Sequence, residues 1–126
     1  MDTERNKVLI IDDDARNIFA LSAVLKAKKF NCLSAQSALE GLELLSQNND
    51  IGIVLMDMMM PEMDGYDAIG HIRKNESLAT IPVIAVTAQA MIGDKEKCLT
   101  AGATDYISKP VDVDLLIKIL NQHLIS

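Results

Sequence analysis

Apolar and polar positions alternate along this chain in two rhythms. Short β-branched runs keep giving way to stretches with helical spacing. Lys7 to Ile11 reads as a strand and stops abruptly at Asp12-Asp13-Asp14. Ile18, Leu21 and Ala23-Val24-Leu25 then predict an amphipathic helix whose last turn carries Lys26, Lys28 and Lys29, favourable against the helix dipole. Phe30 to Ala35 is a weaker strand. Ser37 with Glu40 three residues later predicts a capping box that opens a helix over Ala38 to Gln47. After the turn Asn48-Asn49-Asp50, the run Ile51 to Met56 predicts a buried strand that delivers Asp57 at its end.

Asp64 is placed to cap a helix reaching about Lys74, and 75–80 reads as loop. Pro82 stands at the entry of a fourth strand, Val83 to Thr87, where a missing N–H is tolerated. A helix from about Asp94 to Thr100 stops at Gly102, a suitable residue just past a helix end. Thr104 to Ser108 is a fifth strand, ending at Lys109-Pro110. Asp112 caps a last helix that keeps Leu116, Ile117, Leu120 and Leu124 in register. Strict alternation of strand and helix, with strands apolar on both faces, predicts a parallel sheet covered by helices on both sides.

Where the polar residues fall gives this pattern its chemistry. The first strand ends in Asp12-Asp13, the third in Asp57, the fourth in Thr87 and the fifth in Lys109. In an open parallel sheet, ligands bind beyond the carboxyl ends of the strands. Burying a lone carboxylate beside the apolar run before Asp57 is costly, so that residue is either a working group or the opening of a turn capped by Pro61. Four strands converging on one rim favour work.

Three carboxylates and one ammonium leave that rim with net charge −2. At ~4 Å and an effective dielectric of ~20, each like-charge pair costs about 4 kcal/mol. A divalent cation offsets the deficit. Oxygen ligands without nearby His or Cys call for Mg²⁺ (or Mn²⁺) rather than zinc. With a phosphoryl group present, Lys109 and the metal would neutralise its oxygens and Thr87 would donate a hydrogen bond, leaving Asp57 as nucleophile.

Composition narrows the class. The 126 residues are the usual size of one domain, so residues 1–126 are read as a single unit. Hydrophobic residues make up 49% and aromatics only 3%, so Val, Ile, Leu, Met and Ala must build the core. A net charge of −6 argues against direct nucleic-acid binding. Cys32 and Cys98 are expected as separate buried or half-buried thiols, one on a strand and one on a helix. No apolar run approaches the ~18 residues of a membrane span, and Met1-Asp2-Thr3-Glu4-Arg5 is too polar for a secretion signal, so a cytoplasmic setting without membrane contact is expected. Met56, Met58, Met59, Met60 and Met63 read as adaptable packing rather than a thioether metal site. Asp14 reads as a helix cap, and His71 and His123 as surface residues.

Four segments carry a family resemblance: Val-Leu-Ile-Ile-Asp12-Asp13, Val-Leu-Met-Asp57-Met-Met-Met-Pro61-Glu-Met-Asp-Gly65, Val-Ile-Ala-Val-Thr87-Ala88 and Asp-Tyr106-Ile-Ser-Lys109-Pro110. In this order and spacing the chain resembles, over essentially its whole length, the receiver domains of two-component response regulators. Its Met-Met-Met-Pro and Lys-Cys-Leu-Thr-Ala-Gly-Ala wording is similar to receivers attached to hybrid histidine kinases. The resemblance implies a (βα)5, flavodoxin-like (CheY-like) α/β domain with strand order 2-1-3-4-5. It implies that Asp57 accepts phosphate from a histidine of a histidine kinase or histidine-phosphotransfer protein. Asp12, Asp13, Asp57 and the backbone carbonyl of Met59 would hold Mg²⁺. Lys109 would pair with the phosphoryl group, and the Lys109-Pro110 bond would be cis.

Thr87 and Tyr106 look like the family's switch pair, altering the face made by the fourth helix, fifth strand and fifth helix toward an output domain or downstream protein. Ala88, Met59 and Gln89 would flank access to the phosphoryl site, Met59 and Gln89 influencing how long the group survives. Such a domain catalyses only its own phosphotransfer and dephosphorylation.

Other classes on similar architectures make different demands. An aspartyl-phosphate phosphatase commonly needs a second acid near the nucleophile and a cap for its substrate, but Met58 and Met59 follow Asp57 and no cap insertion is visible. A flavin carrier would lead its first strand into a Ser/Thr/Gly-rich phosphate loop; here three aspartates follow. A degenerate receiver used only for binding would not keep the full acidic set.

Overall fold

In the computed structural model, which describes residues 6–60, 65–87 and 94–124, the two rhythms resolve into five strands and five helices in strict alternation. They are β1 (Lys7–Ile11), α1 (Ala15–Ala27), β2 (Asn31–Ala35), α2 (Ala38–Gln47), β3 (Ile51–Asp57), α3 (Gly65–Lys74), β4 (Val83–Thr87), α4 (Asp94–Ala101), β5 (Asp105–Ser108) and α5 (Val113–His123). All pairings are parallel and the strand order is 2-1-3-4-5, as expected. The β1–β3 register slips by one residue at Gly52, so that Lys7 pairs with Ile51 but Val8 with Ile53. The cap expected at Asp64 lies outside the described residues.

Each strand serves two cores because successive side chains point to opposite faces. Val8, Ile10, Ile53, Leu55, Ile84, Val86 and Ile107 form one row set, packed against Leu25 of α1 and Leu116, Ile119 and Leu120 of α5. Leu9, Ile11, Val54, Met56, Val83 and Ala85 form the other, beneath Ala38 and Leu45 of α2, Ala68, Ile69 and Ile72 of α3 and Cys98 of α4. Cys32 is half-buried and Cys98 buried, both free.

The helix ends follow from side-chain chemistry. Asp14 accepts from the Arg16 N–H, Ser37 from the Glu40 N–H and Asp112 from the Leu115 N–H. Glu40 reaches back to the Gln36 N–H at 2.7 Å, one residue earlier than the expected box partner. Gly102 follows α4 with φ +117 while Gly102 and Ala103 donate to Leu99 and Cys98.

Two sequence expectations are corrected. Lys28 and Lys29 lie beyond α1: Lys28 is its C-cap, and Lys29 turns left-handed with φ 72 so that its N–H reaches Lys26 and the Phe30 N–H reaches Leu25. This closing bond pattern suits glycine, and no glycine marked it in the sequence. Lys29→Gly should therefore stabilise the fold by about 0.5–1 kcal/mol, read as a higher denaturation midpoint at unchanged slope. His123 is half-buried rather than on the surface, its Nε2 enclosed and 3.8 Å from Asp105 Oδ2. His71 is exposed as expected.

Candidate phosphoacceptor and metal site

The polar rim lies where the apolar rows end. Val8-Ile10 runs on into Asp12, Ile53-Leu55 into Asp57, and Ile107 into Lys109, so period-2 alternation puts all three toward the α1/α5 layer. Thr87 continues Val83-Ala85 toward the other layer, where Tyr106 is half-buried. Backbone bonds fix the ends: Met58 N–H donates to Val86 O at 3.0 Å, and Lys109 N–H to Thr87 O at 2.7 Å. The Lys109-Pro110 peptide is cis, as expected.

Carboxylate oxygens of Asp12, Asp13 and Asp57 lie within 4.8 Å of one another. Asp12 and Asp57 are 3% and 4% exposed, whereas Asp13 faces solvent. Lys109 Nζ stands 3.7 Å from Asp12 Oδ2 and 3.7 Å from Asp57 Oδ2. Asp57 Oδ1 accepts the Met59 N–H at 3.0 Å, and Asp12 Oδ1 accepts the Asp14 N–H at 2.9 Å. Thr87, 5% exposed, is the third buried polar residue among those described.

Burial pushes the Asp57 carboxyl above its usual range; the Met59 N–H and Lys109 pull it back, and Asp12 raises it again. A carboxylate held against its own desolvation and a like charge is poised for a cation. The donors fit a small hard ion: among the described residues three carboxylates come together, and one of them, Asp13, faces solvent and leaves room for water.

Asn17 was not anticipated. Its Nδ2 lies 3.4 Å from Asp12 Oδ2, bringing the first turns of α1 into the site. An amide five residues after an acid has no obvious signature, so only the helix geometry reveals it. Beside the acids, a cleft of about 510 Å³ opens between α1 and the 109–113 segment, floored by Ile10, Leu55 and Val86. Ala88 and Gln89, expected to flank access, lie outside the described residues.

Gly65 holds α3 close beneath the site. A Cβ there would meet Met58 Cα at 2.8 Å and Asp57 O at 3.0 Å, and would also strike Met58 Sδ. The backbone cannot yield as a side chain can. Gly65→Ala should cost about 1–3 kcal/mol, seen in chemical denaturation.

Comparison with known proteins decides the family. The model of the response regulator receiver domain matches residues 8–121. The chain belongs to that family. It is 34% identical over 117 residues to the polar-differentiation response regulator DivK of Brucella abortus, covering 93% of this chain and 94% of that one. A response regulator receiver protein from Pseudomonas putida superposes with TM-score 0.86 at 30% identity, over 94% of this chain and 97% of the other. The receiver domain of a Pseudomonas aeruginosa sensor histidine kinase, solved with a magnesium ion in its active-site cleft, gives the same values. The receiver is thus a module of two-component signalling. None of its described helices is long and apolar enough to cross a membrane.

Proposed function

We propose that the whole 1–126 chain is one receiver unit whose Asp57 takes a phosphoryl group from a histidine of a histidine kinase or histidine-phosphotransfer protein. The observation that carries this reading is Lys109 Nζ at 3.7 Å from both Asp57 and Asp12, within a cluster of three acids. Asp57 Oδ2 attacks phosphorus, the P–N bond to the donor imidazole breaks, and an aspartyl phosphate forms. The Met59 N–H holds Oδ1 and so presents Oδ2 outward. Lys109 draws the phosphoryl oxygens, and the Thr87 hydroxyl donates to one of them.

Asp12, Asp13, Asp57 and the Met59 carbonyl would hold Mg²⁺. When bound, the ion supplies positive charge against the crowded carboxylates and the incoming phosphoryl oxygens. Asn17 and the Asp14 N–H orient Asp12 for that role. Once the phosphoryl group is in place, Thr87 moves toward it and Tyr106 fills the vacated space. The face of α4, β5 and α5 then changes its affinity for an output domain or downstream protein, a shift between two packings driven by new charge. The domain catalyses its own phosphotransfer and dephosphorylation, and works in the cytoplasm.

The test is incubation with acetyl phosphate, with and without Mg²⁺, followed by intact mass. One base-labile phosphoryl group is expected, absent with chelator and absent in Asp57→Ala. Uptake that persists in Asp57→Ala, or none at all in the native chain, overturns the reading.

A further inference from the structure

Four methionines surround the end of β3, and they differ sharply in accessibility. Met56 is 0% exposed, Met58 1% and Met60 7%, whereas Met59 is 59% exposed. Met59 cannot withdraw from the site, because its N–H is tied to Asp57 Oδ1 at 3.0 Å and its neighbour Met58 is pinned to Val86. A flexible, soft thioether is thus held in water at the mouth of a buried carboxylate. We propose that Met59 is a site of reversible oxidation by hydroperoxides, and that its sulfoxide shortens the life of a phosphoryl group on Asp57. The second half rests on the reading of Asp57 as phosphoacceptor.

The chemistry balances without further reagents. A lone pair on Met59 Sδ attacks the peroxide oxygen, the O–O bond breaks and an S–O bond forms. The sulfur is oxidised by two electrons, the peroxide is reduced by two, and the departing oxygen leaves as water or an alcohol. Thiol-dependent reductases return the thioether. The consequence is electrostatic and steric. The thioether is a weak acceptor and holds no water in place, while the sulfoxide oxygen accepts strongly from water. Water held there stands beside the aspartyl phosphate and hydrolyses it sooner.

The experiment uses a chain carrying Met63→Leu and Met91→Leu, with and without Met59→Leu. Peroxide is titrated in and sulfoxides are located by peptide mass. The protein is then phosphorylated with acetyl phosphate, the donor removed, and decay followed by intact mass. Oxidation at Met59 should precede that at Met56, Met58 and Met60. The half-life should fall about fivefold, equivalent to about 1 kcal/mol of barrier, and a sulfoxide reductase should restore it. Met59→Leu should keep its decay rate after the same treatment.

Sulfoxide appearing first at the buried methionines, or equal decay before and after oxidation of Met59, overturns the proposal. Should the unoxidised chain take up no phosphoryl group, the Asp57 reading falls and the lifetime effect with it. The peptide map then still decides whether Met59 is the oxidised residue.

Discussion

Arg73→Ala is expected to lower the free energy of unfolding by about 3 kcal/mol, measured by urea denaturation at neutral pH. Arg73 sits in the last turn of α3, and its guanidinium is spent on backbone. Nε donates to Gly102 O at 2.9 Å, Nη1 to Ile81 O at 2.7 Å and Ala79 O at 3.2 Å, and Nη2 approaches Thr104 Oγ1 at 3.4 Å. Thr104 Oγ1 in turn accepts the Val83 N–H at 3.0 Å. One side chain therefore joins the α3–β4 loop, the end of α4 and the approach to β5. Burial lowers the Arg73 pKa, yet arginine stays charged at any working pH. Removing it strands several carbonyls in partly buried positions, each costing about 1–3 kcal/mol when unpaired. Arg73→Lys should recover only part of the loss, since a single ammonium cannot span the same fork. Equal stability of the alanine variant and the parent would refute this account.

Asp57→Asn should raise stability in metal-free buffer by on the order of 1 kcal/mol while abolishing phosphoryl uptake. The sign follows from the Asp57 shift. Burial raises its folded pKa above the unfolded value, so the native state binds more protons than the unfolded one. The contribution of Asp57 to stability is then greatest below its unfolded pKa and declines as pH rises through the folded pKa. The asparagine variant lacks this decline. Lys109 works against the gain, because removing the charge at Asp57 costs it one of its two partners; burial and Asp12 outweigh it. Adding Mg²⁺ should stabilise the parent more than the variant, which narrows the gap between them. A variant less stable than the parent at neutral pH, without metal, would reverse the electrostatic argument.

Much of this was legible because the fold writes itself in alternation. Period-2 rows placed Asp12, Asp57 and Lys109 at strand ends, and capping residues set the starts of α1, α2 and α5. What escaped the sequence depended on backbone partners. The groups that hold Arg73 are mainly backbone carbonyls, which carry no residue code, so nothing in the sequence pointed to the arginine. Asn17 escaped for a similar reason: its partner Asp12 is reached only through the angle at which α1 leaves β1. Lys29 misled because its φ of 72 closes the helix without a glycine, with the Phe30 N–H bonded to Leu25 O and Phe30 packed against the core on that face. His123 read as a surface residue because it lies on a helix far in sequence from His71, and the approach of Asp105 from β5 carries no sequence signal.

Alternation also settles where an observer should stand. Asp57 closes a row under α1 and α5, whereas Leu99 of α4, 39% exposed, rides on the opposite layer. A fluorescent dye attached through Leu99→Cys would thus watch the far side of the sheet without crowding the acids. Cys98 beside it is fully enclosed and Cys32 half-enclosed, so labelling chemistry has one freely accessible thiol to choose among the described residues. The receiver comes ready to be made into its own optical sensor.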